Sequence, residues 1–167
     1  MVLGFKLASA LITVLLLVLQ GGLAAEAATE PPLADATPMS ARELYKLYQD
    51  KTWLWPNGAG FFAKDGRFTA WSVSGGETAY ANGGWWVNFL GGMCIDAAWR
   101  TKDGVHIDLT CFNHSKAGNI VYQKREPSGA RFVFRSFPRK PDDEFEKLKD
   151  GDLVKSKLET TLSPVRE

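Results

Sequence analysis

Closely spaced turn signals divide residues 52–137 into short runs that are rich in aromatic and β-branched side chains. Each signal is a residue pair that ends in glycine, and the pairs are Asn57-Gly58, Asp65-Gly66, Gly75-Gly76, Gly83-Gly84, Gly91-Gly92, Asp103-Gly104 and Ser128-Gly129. Such spacing is typical of antiparallel strands, because it leaves too little chain for alternating helices. We expect a mainly β fold, a small antiparallel meander barrel or sandwich of about eight strands. The predicted strands are 52–56, 60–64, 67–73, 78–89, 93–100, 105–112, 119–125 and 130–137.

A short N-terminal helix is predicted just before these strands. Ser40 and Glu43 have the spacing of a capping box, and the residues that follow repeat apolar side chains at helical spacing. The repeated apolar residues are Leu44, Leu47 and Tyr48. Ahead of this helix, the Ala- and Pro-rich residues 28–39 predict a flexible leader without a fold.

The charged C-terminal region predicts one or two short helices. Residues 142–149 run from acids to bases, which suits the dipole of a helix, and residues 153–162 favour a second helix. A single β-rich domain with its flanking helices would cover residues 40–162, and residues 163–167 would form a tail. Because the formal net charge is +1, composition gives no electrostatic reason to expect nucleic acid or anionic lipid as the main partner.

Residues 1–27 have the three-part layout of a secretory signal peptide. A single charge, Lys6, precedes the largely apolar residues 7–19, and Ala25-Glu26-Ala27 offers an A-x-A cleavage site. The alternative is an uncleaved membrane anchor, but a spanning helix needs roughly 20 apolar residues and this run is shorter. We expect a mature protein that begins at Ala28, is periplasmic or secreted, and has no stable membrane anchor.

Cys94 and Cys111 are the only cysteines, and export would place them where disulfides persist. The alternative is a pair of unbonded or metal-binding thiols, and without nearby histidines at ligand spacing the two thiols would make a poor zinc site. If a hairpin turns at Lys102-Asp103, the two cysteines stand directly opposite each other, which favours a disulfide. That register places polar side chains of the first strand on the same face as the alternating apolar residues of 105–111. Because one extra residue in the first strand would reverse its alternation, we also expect a β-bulge near Ala97-Ala98.

Landmark Trp, Gly and Cys residues follow one another in order between residues 40 and 135. They are Leu44-Tyr45, Lys51-Thr52-Trp53-Leu54-Trp55, Gly58-Ala59-Gly60-Phe61-Phe62, Asp65-Gly66-Arg67-Phe68, Gly84-Trp85-Trp86, Cys94 with Trp99, and Cys111-Phe112. Together these landmarks resemble the uncharacterised bacterial family catalogued as domain of unknown function 995. The resemblance implies a small exported protein of alphaproteobacteria. It implies no reaction, ligand or catalytic residue.

Candidate catalytic groups lie on one predicted strand, where His106, Asp108 and Thr110 alternate and so share a face. A histidine beside a carboxylate can act as a general acid and base. The chain has no G-x-S-x-G nucleophile elbow, and bridged cysteines cannot act as nucleophiles. We therefore expect a solvated face and no catalytic residue, with a small hydrolase or isomerase using His106 and Asp108 as the alternative. His114 is predicted in the following loop at a spacing that fits no usual zinc pattern, and no metal or cofactor is predicted.

The tryptophans are the candidate ligand-binding residues, and they are Trp53, Trp55, Trp71, Trp85, Trp86 and Trp99. The first two alternate onto one face of a strand, whereas the adjacent Trp85 and Trp86 point to opposite faces. Because a small barrel needs large side chains to fill it, most of these rings are expected in the core. The few tryptophan rings that lie outside the core would form a platform for a ligand.

The sequence favours an exported, non-catalytic binding module that holds an apolar or sugar-like ligand or an envelope protein. An envelope-stress or structural protein without a small ligand fits the same residues. The segment Asn57-Gly58-Ala59-Gly60 lacks the Lys and Ser/Thr of a phosphate loop and is interpreted as a turn that allows a sharp bend. No oligomeric state is predicted.

Overall fold

Antiparallel strands dominate residues 35–162, which are the residues described by the computed structural model. The strands are β1 (Thr37–Pro38), β2 (Lys51–Trp55), β3 (Gly58–Phe62), β4 (Arg67–Ser74), β5 (Glu77–Val87), β6 (Gly92–Thr101), β7 (Gly104–Ala117), β8 (Ile120–Arg125), β9 (Arg131–Arg135) and β10 (Leu148–Asp150). The helices are α1 (Ala41–Tyr48), α2 (Lys155–Leu162) and a 3-10 helix (Glu144–Lys147). The predicted signal peptide, residues 28–34 of the predicted leader and the tail lie outside the described residues.

The strands form one sheet in the order β10-β2-β3-β4-β5-β6-β7-β8-β9, with β1 beside β7. Strands β2 to β9 are therefore a meander, and each of the predicted strands is present. The sheet curls into a half-barrel. The edge strands β9 and β10 do not pair with each other, and the 3-10 helix contacts β9 on one side and β2 and β10 on the other. The C-terminal segment thus lies across the gap between the two edges of the sheet.

Helix α1 packs its apolar side against the concave face of this sheet. The Ser40 side chain accepts a hydrogen bond from the Glu43 N–H, and the Glu43 carboxylate accepts one from the Ser40 N–H, which is the predicted capping box. Tyr45 stacks on Trp85 with 5.5 Å between the ring centres. The buried core contains Leu44, Leu47, Tyr48, Phe62, Phe68, Trp85, Met93, Val121 and Phe134. Because each large apolar side chain contributes about 1.5–3 kcal/mol when buried, α1 is an integral part of the domain.

The predicted flexible leader is wrong at its C-terminal end. Strand β1 lies within it and pairs with Ser115 and Lys116 of β7, and the next residue, Met39, is buried. The physical reason is that β6 begins only at Gly92, so the C-terminal part of β7 extends beyond it. Strand β1 pairs with this C-terminal part of β7 in place of β6 and satisfies its backbone hydrogen-bonding groups.

The C-terminal helices are shorter than predicted. The region 142–149 forms the 3-10 helix and then continues as β10 beside β2. Helix α2 begins after Asp152, whose Oδ1 accepts hydrogen bonds from the N–H groups of Val154 and Lys155, both at 2.9 Å. No helix within residues 35–162 has the length and apolar character needed to cross a membrane.

The β6–β7 hairpin keeps one register along its whole length. Cys94 and Cys111 are directly opposite each other and form a disulfide with their Cα atoms 4.1 Å apart, so the predicted bridge is confirmed. The predicted bulge near Ala97-Ala98 is wrong. That prediction assumed that the apolar side chains of β7 must be buried, whereas those between residues 105 and 109 are exposed on the convex face.

Candidate functional site

Three tryptophans meet on the concave face of the half-barrel. Trp53 and Trp55 alternate along β2 and therefore point to the same side of the sheet. Trp99 of β6 lies on this same side, because directly facing residues on neighbouring strands share a face of the sheet. The series of facing residues runs from Trp53 through Gly60, Ala70 and Ala81 to Trp99. Because these intervening residues are small, they leave room above the sheet between the tryptophan rings.

The three rings line an open cleft of about 390 Å³. Small-molecule sites in proteins usually measure about 300–1,000 Å³ and combine apolar walls with a few polar groups. The aromatic lining consists of Trp53, Trp55, Trp99, Phe62, Phe68 and Phe112. The polar lining consists of Asp108, Thr110, Arg125 and Glu144. The cleft therefore has both the size and the composition of a binding site.

The ring of Trp55 lies over two glycines of β3. A Cβ atom on Gly58 would come within 2.2 Å of the Trp55 Nε1 atom, and one on Gly60 within 3.2 Å of its ring. The Nε1–H group donates to Ser72 Oγ at 3.4 Å. The prediction that Asn57-Gly58-Ala59-Gly60 is a turn is therefore wrong beyond Asn57. These glycines belong to the strand, where they make room for an aromatic ring.

Trp53 is fixed by contacts on several sides. Its Nε1–H group donates to Glu144 Oε1 at 2.8 Å, and Glu144 also accepts a hydrogen bond from Lys147 Nζ at 2.6 Å. The ring centre of Trp53 is 5.2 Å from that of Phe112. It is 6.2 Å from that of Phe134, to which the ring is perpendicular. A ring held in this way loses little freedom when a ligand stacks on it.

The other three tryptophans lie outside the cleft. Trp85 is 4% exposed and donates to the Ala63 carbonyl oxygen at 2.8 Å, so it is a core residue. Trp86 points to the convex face and is 45% exposed, as the alternation of adjacent residues predicts. Trp71 also lies on the convex face, where Lys157 Nζ is 5.3 Å from its ring centre. Among the predicted residues, the structure therefore brings together only the tryptophans of β2 and β6.

Polar groups of β7 and β8 form one rim of the cleft. Asp108 Oδ2 accepts a hydrogen bond from Thr110 Oγ1 at 2.7 Å, and Thr110 Oγ1 accepts one from Arg125 Nη2 at 3.4 Å. His106 shares their face but lies in an adjoining depression, opposite Trp99. Within residues 35–162, no hydrogen bond or ion pair joins His106 to Asp108. The rim thus presents acceptors and a cation to the cleft, and the described part of the chain holds no His, Cys, Asp and Glu cluster suited to a metal.

His114 lies in the core, so its predicted place in a loop is wrong. It belongs to β7, which runs to Ala117, and only 2% of its surface is exposed. Its Nε2 atom is 2.8 Å from Tyr48 Oη and 2.9 Å from Gln123 Nε2. Burial lowers the pKa of His114 to about 4 and raises the pKa of Tyr48 well above its usual value. The neutral imidazole therefore links α1 to β7 and β8.

The sequence does not identify the remaining walls of the cleft. Phe112 carries a usable signal, since it alternates with Thr110 along β7. Phe62 and Phe68 stand opposite each other on β3 and β4, but their approach to the tryptophans depends on the curl of the sheet. Glu144 comes from the charged C-terminal region, where no pattern indicates a contact with an indole ring.

The fold and the cleft define a half-barrel β protein with an open aromatic site on its concave face. A family model described as protein of unknown function (DUF995) matches residues 14–154. The chain belongs to this family, in agreement with the resemblance of its landmark residues. Comparison with the curated proteins and with the solved structures found no match. The family description assigns no activity, so a function has to be argued from the cleft itself.

Proposed function

We propose that this protein is a non-catalytic binding module of the periplasm that holds a small ligand with a flat apolar face, such as a sugar ring. The observation that carries the proposal is the convergence of Trp53, Trp55 and Trp99 on an open cleft of about 390 Å³. A tryptophan ring offers a large, flat, rigid surface with a polar edge, which suits the apolar face of such a ligand. The fixed position of Trp53 supports stacking without a large ordering cost.

The polar rim favours a sugar-like ligand over a pure hydrocarbon. Asp108 uses Oδ2 to accept from Thr110, and no hydrogen bond within residues 35–162 engages its Oδ1 atom. The exposed guanidinium of Arg125 lies on the same rim. A ligand that stacks on the rings could therefore donate hydroxyl groups to the carboxylate and accept from the guanidinium. Both interactions would orient it in the cleft.

Export is part of this proposal. The signal-peptide layout of residues 1–27 supports it, and so does the Cys94–Cys111 disulfide, because such bonds persist in oxidising compartments. A protein at that location would meet free sugars, cell-wall fragments and other envelope components as ligands.

Binding is tested on the mature protein with the neutral fluorophore N-phenyl-1-naphthylamine and with neutral oligosaccharides that compete with it. Trp55→Ala and Trp99→Ala should each weaken fluorophore binding about tenfold, which corresponds to about 1.4 kcal/mol. Trp71→Ala is the matched control, because it removes a half-buried indole from the opposite face of the sheet. It should bind like the wild type.

His106→Ala separates this proposal from an enzyme that uses His106 and Asp108. A binding module should keep wild-type affinity in that variant. Loss of binding in His106→Ala together with unchanged binding in both cleft variants would favour the enzyme. Equal affinity in all four variants, or failure of both the fluorophore and the oligosaccharides to bind, would overturn the proposed site.

A further inference from the structure

Strand β7 has an open edge along its N-terminal part. Strand β8 pairs with residues 112–117 of β7, whereas residues 104–110 pair with β6 alone. No strand of residues 35–162 covers the other side of this part, and each residue from Gly104 to Leu109 is exposed. The domain therefore presents an unpaired β edge next to the cleft.

The direction of the backbone groups at this edge follows from one hydrogen bond. The Cys111 carbonyl oxygen accepts from the Glu126 N–H at 2.9 Å, on the side of β7 that faces away from β6. Because the direction alternates along a strand, Val105, Ile107 and Leu109 point their N–H and C=O groups to the same side. At these residues that side is open. A regular row of unpaired donors and acceptors is a template for the addition of another strand.

The side chains of the same residues form an apolar row on the convex face. Val105 is 58% exposed, Ile107 is 72% exposed and Leu109 is 60% exposed. Natural edge strands are usually protected by Lys, Pro or a bulge. Residues 104–110 contain neither Lys nor Pro, and their register with β6 is unbroken. The one charged side chain of this edge, Asp108, lies on the concave side, so the convex side is a regular apolar surface of the kind that pairs.

We propose that two copies of this chain pair antiparallel through this edge, with a two-fold axis between the two Ile107 residues. In this register Val105 faces the partner's Leu109, and Ile107 faces the partner's Ile107. These residues direct their backbone groups toward one another, so each facing pair exchanges two backbone hydrogen bonds. Their apolar side chains meet as cross-strand neighbours on the convex face.

Complementary side chains identify a second copy as the occupant and select the register, because an imidazole N–H can donate to a carboxylate. With the axis at Ile107, His106 faces the partner's Asp108, and the symmetry repeats this pair on the other side of the axis. A shift by two residues in one direction would place two aspartates opposite each other, and like charges in that position destabilise a sheet. A shift in the other direction would place two histidines opposite each other and leave Asp108 facing the partner's Gly104, without a polar side chain. The strand is therefore self-complementary on both faces in one register.

Pairing of this kind would join the two sheets into one and bring the two clefts side by side, because Asp108 lines the cleft. It does not depend on the ligand proposed above. Asp108 serves both proposals, whereas Trp55 and Trp99 lie on β2 and β6, away from the edge, so loss of ligand binding in Trp55→Ala or Trp99→Ala should leave the pairing intact.

Cysteine cross-linking tests the register on the mature protein. His106 and the partner's Asp108 form a non-hydrogen-bonded pair, whose Cα atoms approach to about 4.5 Å in an antiparallel sheet. A mixture of His106→Cys and Asp108→Cys chains should form a disulfide-linked dimer on mild oxidation, while neither chain alone should do so. Cross-linking of either single variant by itself would overturn the proposed register.

A proline variant tests the pairing without cross-linking. The Ile107 N–H faces the open edge, so Ile107→Pro should leave the monomer folded while it removes a donor from the interface. Sedimentation of the wild type should give a dimer, and Ile107→Pro should give a monomer with an unchanged circular dichroism spectrum. Asp142→Lys, at an exposed site outside the edge, is the control and should remain dimeric. A wild type that is monomeric at its highest soluble concentration would overturn self-pairing.

Discussion

The indole ring of Trp55 lies so close to Gly58 that a Cβ atom on this glycine would come within 2.2 Å of the indole Nε1. The same Cβ atom would be 2.4 Å from the Trp71 carbonyl oxygen, a backbone atom that cannot rotate away. The position of the ring and the absence of a side chain at residue 58 are therefore coupled. One wall of the cleft depends on this pair.

Gly58→Ala should distort that wall. The extra methyl group must displace either the ring or the backbone of β4, and overpacking of this kind typically costs about 1–3 kcal/mol. We expect a lower urea midpoint and weaker binding of N-phenyl-1-naphthylamine. Gly84→Ala is the matched control, because the nearest atom to its new Cβ would be 3.6 Å away. If the two variants are equally stable and bind equally well, the role assigned to Gly58 is wrong.

Loss of the disulfide should destabilise the domain. Cys94 and Cys111 are bridged, and removal of a native disulfide from a small secreted domain usually costs about 2–5 kcal/mol. The double variant Cys94→Ala/Cys111→Ala should therefore unfold at a lower denaturant concentration than the wild type. Thiol labelling of the denatured, unreduced wild type should find no free thiol. Two labelled thiols per chain would contradict the bridge.

His114 should make the domain less stable in mild acid. Burial lowers the pKa of His114 to about 4, whereas an unfolded histidine has a pKa of about 6.5. The contribution of the neutral imidazole is therefore complete above about pH 6.5 and is lost as the pH falls toward about 4, because the unfolded chain binds the proton first. The loss is about 3 kcal/mol, since one pKa unit corresponds to about 1.4 kcal/mol.

The difference between two variants isolates this effect from the titration of carboxylates. His114→Gln should give a flatter profile of unfolding free energy between pH 6.5 and 4, since glutamine carries no titrating group and can still hydrogen bond to Tyr48. His106→Gln makes the same substitution at an exposed position and is the matched control for the change of side chain. Identical slopes for the wild type and His114→Gln would show that this imidazole is not the titrating group.

The exported protein should begin at Ala28. The short apolar segment and Ala25-Glu26-Ala27 predict cleavage after Ala27. Intact-mass analysis of the protein recovered from the soluble envelope fraction checks this expectation. A mass that still includes Met1 to Leu23 would contradict it.

Most of the strands could be predicted from the sequence, because glycine-containing turns mark their ends. Strands β1 and β10 could not, since they have two and three residues and lie in a Pro-rich and a charged segment that show no alternation. The pairing of Cys94 with Cys111 followed from the turn position. The bulge was wrong because the sequence alone does not say that Ile107 and its apolar neighbours face solvent.

The site could be predicted only in part. Alternation shows that Trp53 and Trp55 share a face and that Trp85 and Trp86 do not, and the structure agrees with both. It does not show which face is concave, and it therefore cannot separate Trp71, on the convex face, from Trp99 in the cleft. His114 was misplaced for a related reason, because a buried polar residue such as this one carries no hydrophobic signal and depends on partners far away in the sequence.

The most direct test of the binding site follows the indole N–H signals in a proton–nitrogen correlation spectrum during titration with the best competing oligosaccharide. Each indole carries one such signal, assigned through single Trp→Phe variants. We predict that the signals of Trp53, Trp55 and Trp99 shift together with one binding constant, while those of Trp71, Trp85 and Trp86 remain in place. Shifts confined to the last three signals would place the ligand elsewhere on the molecule and contradict the concave cleft as its site.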